Sequence, residues 1–217
     1  MKPDMKTHHI KIAATAALAL STLAACSGAS DAKTPSRENF EAGLRTFLAN
    51  GNDQVCLAMY DWPIDLTEAE AGANARHAVQ LPVFEKLGLV KSTIVAVPRS
   101  DENPDGAIKR YALTDEGRKY YKAHPHKGRD GNTHANDLCV AQISVDRVDS
   151  WDLDKQQASA AVSYTYHIAA APWMQDPDAS RVLPMVARVI QGADGRLKMR
   201  QGFALTNKGW VAVPGAV

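Results

Sequence analysis

Residues 160–168 read Ala-Ala-Val-Ser-Tyr-Thr-Tyr-His-Ile, and apolar and polar side chains alternate through most of this stretch. A period of two is typical of a β-strand with one buried and one solvated face. The same alternation returns at residues 197–205, and Asn207-Lys208-Gly209 predicts a turn into a last strand at 210–213. The C-terminal part is therefore predicted to be an antiparallel sheet, interrupted by one short helix at residues 184–190.

Upstream of this sheet, helical patterns are more frequent. Apolar residues at positions 40, 44, 47 and 48 predict a helix that opens at Pro35-Ser36 and ends at Asn50-Gly51. The remaining predictions are helices at 67–79 and 82–87, a hairpin of strands 93–97 and 108–113, a Thr114-capped helix at 115–123, a loop at 124–136 and a strand at 138–145. The fold class is therefore α+β: a single compact domain with an N-terminal helical and wing-like part and a C-terminal antiparallel sheet.

Composition excludes two broad classes of protein. The 217 residues include 25 Lys and Arg against 24 Asp and Glu, a formal net charge of +1, which is not that of a generally cationic nucleic-acid binder. Because 45% of the residues are hydrophobic and 23% charged, the chain is not predicted to be disordered.

The first 25 residues have the pattern of an export signal. Lys2, Lys6 and Lys11 precede an apolar run of 14 residues from Ile12 to Ala25. That run is shorter than the roughly 20 residues a helix needs to span a bilayer, so it is interpreted as a secretory signal.

The signal ends in Leu23-Ala24-Ala25-Cys26, which resembles the lipobox of bacterial lipoproteins. The resemblance implies that Cys26 becomes the lipidated first residue, carrying acyl chains such as palmitate. It also implies a location at the periplasmic face of the outer membrane, because Ser27 is not the aspartate of an inner-membrane retention signal. The predicted organisation is a signal peptide at 1–25, a lipidated tether at 26–36 and a globular domain at 37–217. The alternative is ordinary cleavage that leaves Cys26 free or buried.

The other two cysteines, Cys56 and Cys139, form an even pair. Because an exported protein folds where disulfides persist, the two are predicted to bond. The alternative is two separately buried thiols.

Two stretches together resemble the wing region of winged-helix DNA-binding regulators: Leu87-Gly88-Leu89-Val90 and the run from Arg110 to Arg118. The resemblance implies a helix, a two-stranded wing and a second helix, and only this shape is carried over. DNA binding is not expected, because export separates the domain from the chromosome and residues 67–79 hold only Arg76 as a cation.

Charge is distributed unevenly along the chain. Residues 109–129 hold seven cations against two acids, whereas residues 27–75 hold three cations against eight acids. This asymmetry would steer an acidic partner, for example an anionic glycan or the lipid headgroups of the envelope. The alternative is that the two regions face each other in the fold or are simply solvated.

His124, His126 and His134, with Asp130 and Asp137 nearby, are residue types that bind zinc or copper. The alternative is a solvated polar loop, since the spacing matches no known closed site.

No catalytic motif is recognisable in the sequence. Ser163 and His167 are too far apart along a strand for a direct hydrogen bond, and neither a Gly-x-Ser-x-Gly turn nor a phosphate-binding glycine loop is present. The predicted function is a non-enzymatic envelope lipoprotein without a cofactor, which binds an envelope protein or an anionic glycan. The alternative function is a small-ligand or metal sensor of the periplasm, and an envelope hydrolase has the least support.

Overall fold

The computed structural model describes residues 31–101, 103–128, 131–156 and 158–214. The signal peptide and Cys26 lie outside these ranges. Within them the helices are α1 (Arg37–Phe47), α2 (Glu68–Gly72), α3 (Arg76–Lys86), α4 (Asp115–Arg118), α5 (Pro177–Val182) and α6 (Pro184–Gln191). A π turn follows α1 at Leu48–Asn52, and a 3-10 turn precedes α5 at Pro172–Gln175.

The strands of the described ranges are β1 (Gln54–Cys56), β2 (Ile64–Leu66), β3 (Val90–Ala96), β4 (Ala107–Leu113), β5 (Tyr121–Lys127), β6 (Thr133–Asp154), β7 (Ser159–Ala170), β8 (Met199–Thr206) and β9 (Gly209–Ala212). They form two antiparallel sheets. The larger has the order β1-β6-β7-β8-β9, with β5 also paired to β6, and the smaller has the order β2-β4-β3. The α+β class predicted from the sequence is confirmed.

The 22-residue strand β6 connects the two halves of the molecule. Leu138 and Val140, near its start, belong to a core shared with α3, α5 and the small sheet, whereas Val145 and Val148 belong to a core under α1. Register shifts at Val145/Arg147 and Val148/Ser150 mark bulges, which increase the local twist and let the large sheet curl.

The curled sheet packs around α1. Ser36 caps this helix, because its side chain accepts a hydrogen bond from the Asn39 N–H at 3.2 Å. Phe40 is fully buried, and its ring centroid lies 5.1–5.3 Å from those of Trp151, Phe203 and Trp210. Such aromatic contacts bury a large area and hold the helix in one orientation.

The wing-like part has the predicted order of elements. The helix α3 ends at Lys86, β3 and β4 pair in register from Val90↔Leu113 to Ala96↔Ala107, and Thr114 caps α4. β2 adds a third strand beside β4 that the sequence analysis did not predict.

The segment after Thr114 differs from its prediction. α4 ends at Arg118 instead of Ala123, and most of the expected loop at 124–136 is taken up by β5 and the start of β6. The chain leaves the helix because the Tyr120 carbonyl accepts a hydrogen bond from the Cys139 N–H at 2.8 Å, which starts the pairing with β6. Pro125 falls within a register shift between Ala123 and His126, where a strand tolerates the missing N–H.

Residues 31–36, assigned to the tether from their composition, contact the body of the protein. The side chain of Asn39 donates to the carbonyls of Asp31 and Thr34 at 3.0 and 2.8 Å. The packed part of the chain therefore begins before α1. In the described ranges, no helix is both long and apolar enough to cross a membrane.

Candidate functional site

The candidate site is a groove formed by two adjoining cavities of about 460 and 810 Å³. Asp53 and Gln142 line both cavities, so the two cavities lie side by side. The end of α1, the π turn, β5, β6 and β7 all contribute to its lining. The polar lining residues include Arg45, Asp53, Lys122, His124, Gln142 and His167.

One wall of the groove is the π turn that follows α1. Gly51 has φ of +89°, a left-handed conformation that favours glycine, and the Asn52 side chain donates to the Phe47 carbonyl at 2.9 Å. The Asn50-Gly51 pair predicted to end the first helix thus turns the chain sharply into β1. This turn brings Asp53 against β6.

Asp53 connects the π turn to β6. Its carboxylate accepts a hydrogen bond from the Gln142 side chain at 2.5 Å, and its backbone carbonyl accepts from the Ile143 N–H at 2.8 Å. The exposed cations are Arg45, which lies 3.8 Å from Glu41 with 59% of its side chain exposed, and Lys122 on β5. The lining thus combines Asp53, an acid held by an amide, with two exposed cations.

His167 lies at the other end of the groove, between two carboxylates. Its Nδ1 is 2.7 Å from Asp194 and its Nε2 is 3.5 Å from Asp146, whose other oxygen accepts from the Thr165 hydroxyl at 2.7 Å. The hydrogen bond to Asp194, together with the charges of both acids, raises the pKa of His167 above its ordinary value despite desolvation. Both ring nitrogens therefore face acceptors, an arrangement that holds an imidazolium in place.

Two of the three histidines proposed as metal ligands share a tyrosine ring, and two of them line the groove. His126 and His134 are register partners on β5 and β6, and the Tyr60 ring stacks on both, with centroid distances of 5.7 and 4.3 Å. His134 Nδ1 lies 3.1 Å from Asp61, while His124 and His126 line the groove. Asp130 lies outside the described residues.

Within the part of the chain that the structure describes, no group of three or more His, Cys, Asp or Glu side chains is placed to hold a metal ion. The structure therefore does not bring His124, His126 and His134 together as a metal centre.

Asp137, considered as a metal ligand, is a buried structural clamp. Only 3% of the residue is exposed, and its carboxylate accepts backbone N–H hydrogen bonds from Ala58 at 3.0 Å, Met59 at 2.7 Å and Leu138 at 2.7 Å. Arg76 holds the same loop from another side by donating to the carbonyls of Leu57 and Ala58. This role was not predicted from the sequence, because the Asp-Leu-Cys order at the start of the strand gives no signal for it.

The predicted pairing of Cys56 with Cys139 is present as a disulfide between register partners of β1 and β6. Their Cα atoms lie 3.8 Å apart across a sequence separation of 83 residues. The bond and the Asp137 clamp together fix β1 and the loop after it on β6, close to the groove.

Much of the basic stretch at 109–129 is neutralised locally. Lys109 pairs with Glu85, Arg118 with Asp115, Lys119 with Glu116, and Arg110 makes two 2.7 Å contacts with Asp65. Asp65 belongs to the acidic region at 27–75, so one contact of the predicted patch-to-patch kind is present. In the described part of this stretch, Lys122 and Lys127 are exposed and take part in none of these four ion pairs.

The cations of α3 are engaged in contacts with other parts of the protein. Val79 is 38% exposed and Pro82 and Lys86 are also exposed, while Arg76 is engaged with the backbone of the 57–58 loop. A helix that reads DNA needs several cations on this face. On α3, however, Arg76 is bound to backbone carbonyls and Lys86 is paired with Asp178.

Comparison of the chain with known protein families, with curated proteins and with solved structures gave no significant match. Functional inference therefore depends on the residues and their geometry.

Proposed function

We propose that this protein is a lipid-anchored component of the bacterial envelope, held at the periplasmic face of the outer membrane through Cys26, and that it acts by binding a partner. The lipobox-like Leu23-Ala24-Ala25-Cys26 supports the anchor. The Cys56–Cys139 disulfide supports a site of action outside the cytosol, where such bonds persist.

The groove is the observation that carries the binding role. Its two cavities each fall within the roughly 300–1,000 Å³ of ordinary ligand sites, and their position side by side suits an extended ligand better than one small molecule. Its floor combines the aliphatic Ile143 and Ile168 with the polar Gln142 and Ser144. Such a surface offers contacts both to the apolar faces of sugar rings and to their hydroxyl groups.

The charges of the groove favour an acidic saccharide chain over a neutral one. Arg45 and Lys122 are exposed cations, one in each cavity, and Asp53, which lines both cavities, is already held by Gln142. Carboxylate or phosphate groups spaced along a saccharide would pair with the two cations, while sugar hydroxyls would donate to Asp53.

The environment of His167 supports binding over hydrolysis. A general base needs a free ring nitrogen directed at the nucleophile, whereas both nitrogens of His167 face carboxylates. The groove thus contains ligand-recognition groups around an imidazole that is committed to structural contacts.

The anchor is tested by metabolic labelling of the full-length chain with radioactive palmitate, followed by fractionation of the envelope. Wild type should incorporate label and sediment with outer membranes, and Cys26→Ala should lose both properties. A double Cys56→Ala and Cys139→Ala chain is the matched control and should keep the label. Absence of label from wild type, or its retention in Cys26→Ala, would contradict the anchor.

The groove is tested by calorimetric titration of the lipidated protein in detergent with polygalacturonate oligosaccharides, using neutral glucan oligosaccharides as the comparison ligand. We expect Arg45→Gln with Lys122→Gln to weaken binding about tenfold, equivalent to about 1.4 kcal/mol, and wild-type binding to weaken as salt rises. The matched control replaces two exposed lysines elsewhere, Lys91→Gln with Lys155→Gln. Equal weakening by the control pair, or equal binding of the neutral oligosaccharides, would refute the assignment.

A further inference from the structure

The segment 31–34 is fixed to the edge of the large sheet. The Trp210 backbone N–H donates to the Ala32 carbonyl at 3.3 Å, and the Trp210 indole N–H donates to the Lys33 carbonyl at 3.0 Å. Together with the two hydrogen bonds from Asn39, these contacts attach the segment both to β9 and to the first turn of α1. The segment also covers part of the open edge of β9.

Gly209 shows that this attachment is part of the fold. A β-carbon at this position would lie 2.6 Å from the Ala32 carbonyl oxygen, and the residue has φ of +107°. Only glycine combines this backbone conformation with such a close approach of another chain segment. The turn between β8 and β9 is therefore shaped to receive residue 32.

The attachment leaves a very short connection to Cys26. Four residues, Ser27–Ser30, separate Cys26 from Asp31. Fully extended, five Cα-to-Cα steps reach at most about 18 Å. A body of this size has a radius of gyration of roughly 16 Å and is therefore about 40 Å across, so this reach is less than half the width of the body.

We infer that the protein always turns the same face toward the bilayer. This face consists of the cleft between α1 and β9 and of the 31–34 segment that borders the cleft. The inference rests on the lipid anchor of the proposed function. A tether shorter than half the body cannot bring the opposite side to the membrane. The partner of this face is the headgroup region of the leaflet that holds the acyl chains.

The chemistry of the face suits that region. The cleft, of about 290 Å³, is lined by the aromatic rings of Phe47 and Trp210, and Val211 on the edge strand is 45% exposed. Lys33 and Lys208 are exposed beside it. Tryptophan, exposed aliphatic carbon and lysines with flexible stems are the side chains that favour the membrane–water interface.

The orientation is set by the tether and not by net charge. Two acids of the same surface, Asp31 and Glu38, are exposed near the two lysines and offset them. Electrostatic attraction to anionic lipid is therefore weak here, and the length of the connection decides which face meets the membrane.

The test uses the full-length lipidated chain in phosphatidylethanolamine and phosphatidylglycerol vesicles that contain nitroxide-headgroup lipid. A fluorophore is placed at Asn207→Cys, in the β8–β9 turn beside the docked segment, or at Ile94→Cys, a 72% exposed position on β3. The strand β3 contributes Val90 to the core that does not include α1. We expect at least threefold stronger quenching at position 207 than at position 94. Equal quenching at both positions would overturn the inference.

A linker variant separates the tether from the surface itself. Inserting twenty Gly and Ser residues between Ser30 and Asp31 gives a flexible connection with an r.m.s. span of about 25–30 Å and a much longer maximum reach. The difference between the two probes should then fall to near zero. A difference that persists would overturn the role of the short tether.

Vesicle flotation distinguishes a failure of the lipid anchor from a failure of the proposed orientation. A chain that does not float with vesicles contradicts the lipid anchor and the orientation with it. A chain that floats but is quenched equally at both probes contradicts the orientation alone.

Discussion

Replacing Asp137 by alanine should destabilise the protein strongly, because the carboxylate is the shared acceptor of three backbone N–H groups. Those of Met59 and Leu138 are buried and that of Ala58 is partly buried. A buried N–H without an acceptor costs about 1–3 kcal/mol, so Asp137→Ala should lower the free energy of unfolding by about 3–5 kcal/mol. The loop after β1 should lose its position at the same time.

Asp137→Asn should have an intermediate effect. Its amide oxygen can replace Oδ1, which accepts from both Met59 and Leu138, but its NH₂ group then faces the Ala58 N–H in place of Oδ2. With one hydrogen bond lost and the charge removed from the others, we expect a loss of about 1.5–3 kcal/mol.

The assay is urea unfolding of the disulfide-intact protein, followed by tryptophan fluorescence and far-UV circular dichroism. The matched control on the same strand is Asp152→Ala, whose carboxylate is 78% exposed and paired with Arg200, and it should change stability by less than about 0.5 kcal/mol. If Asp137→Ala unfolds within about 1 kcal/mol of wild type at an unchanged denaturant slope, the clamp is not what holds this loop.

Three further predictions concern the disulfide, the imidazolium and one glycine. Replacing Cys56 and Cys139 together by alanine removes the crosslink that closes a loop across 83 residues, which on the chain-entropy model stabilises the fold by about 4–5 kcal/mol. Calorimetry should show Tm lower by about 10–18 °C, and a fall of under about 3 °C would contradict this prediction. NMR titration should give His167 a pKa above its ordinary value, and this pKa should fall in Asp194→Asn, whereas an identical titration in both chains would exclude the contact. Because the pKa is raised in the folded protein, the contribution of His167 to folding stability is complete below the pKa of the unfolded chain and disappears as pH rises through the folded pKa. Gly117→Ala should cost at least about 2 kcal/mol in chemical denaturation, since its β-carbon would lie 1.9 Å from a neighbouring carbonyl oxygen, and near-wild-type stability would show that the backbone can move there.

The sequence predicted those parts of the fold whose signal is local. The alternation in residues 160–168 places β7 correctly, with Val162 and Tyr166 buried, because one face of a strand must meet the core. The disulfide was predictable from two features of the sequence. The export-like signal indicates a compartment where disulfides persist, and two cysteines remain once Cys26 is assigned to the lipobox-like motif. The helix α1 followed from its apolar spacing and the Asn50-Gly51 stop.

The features that were not predicted depend on contacts between distant segments. Residues 121–127 have no strong alternation, and they become β5 because the start of β6 offers an edge to pair with. Asp137 is indistinguishable from a solvated acid until the loop at 58–59 meets it across 78 or more residues. The groove likewise joins Asp53 to Gln142, 89 positions away, and neither residue belongs to a motif.

The helix α1 relates the two proposals to each other. Asn39 near its start holds the docked segment, and Arg45 near its end lines the groove, on a helix of 11 residues that is about 16 Å long. Because Phe40 fixes the helix in the core of the curled sheet, the distance from the docked segment to the groove is set by packed structure. On these proposals the groove meets ligands close to the leaflet that holds the anchor. An acidic saccharide borne by the membrane or lying directly beside it would reach both cations, whereas one held tens of ångströms above the surface would not.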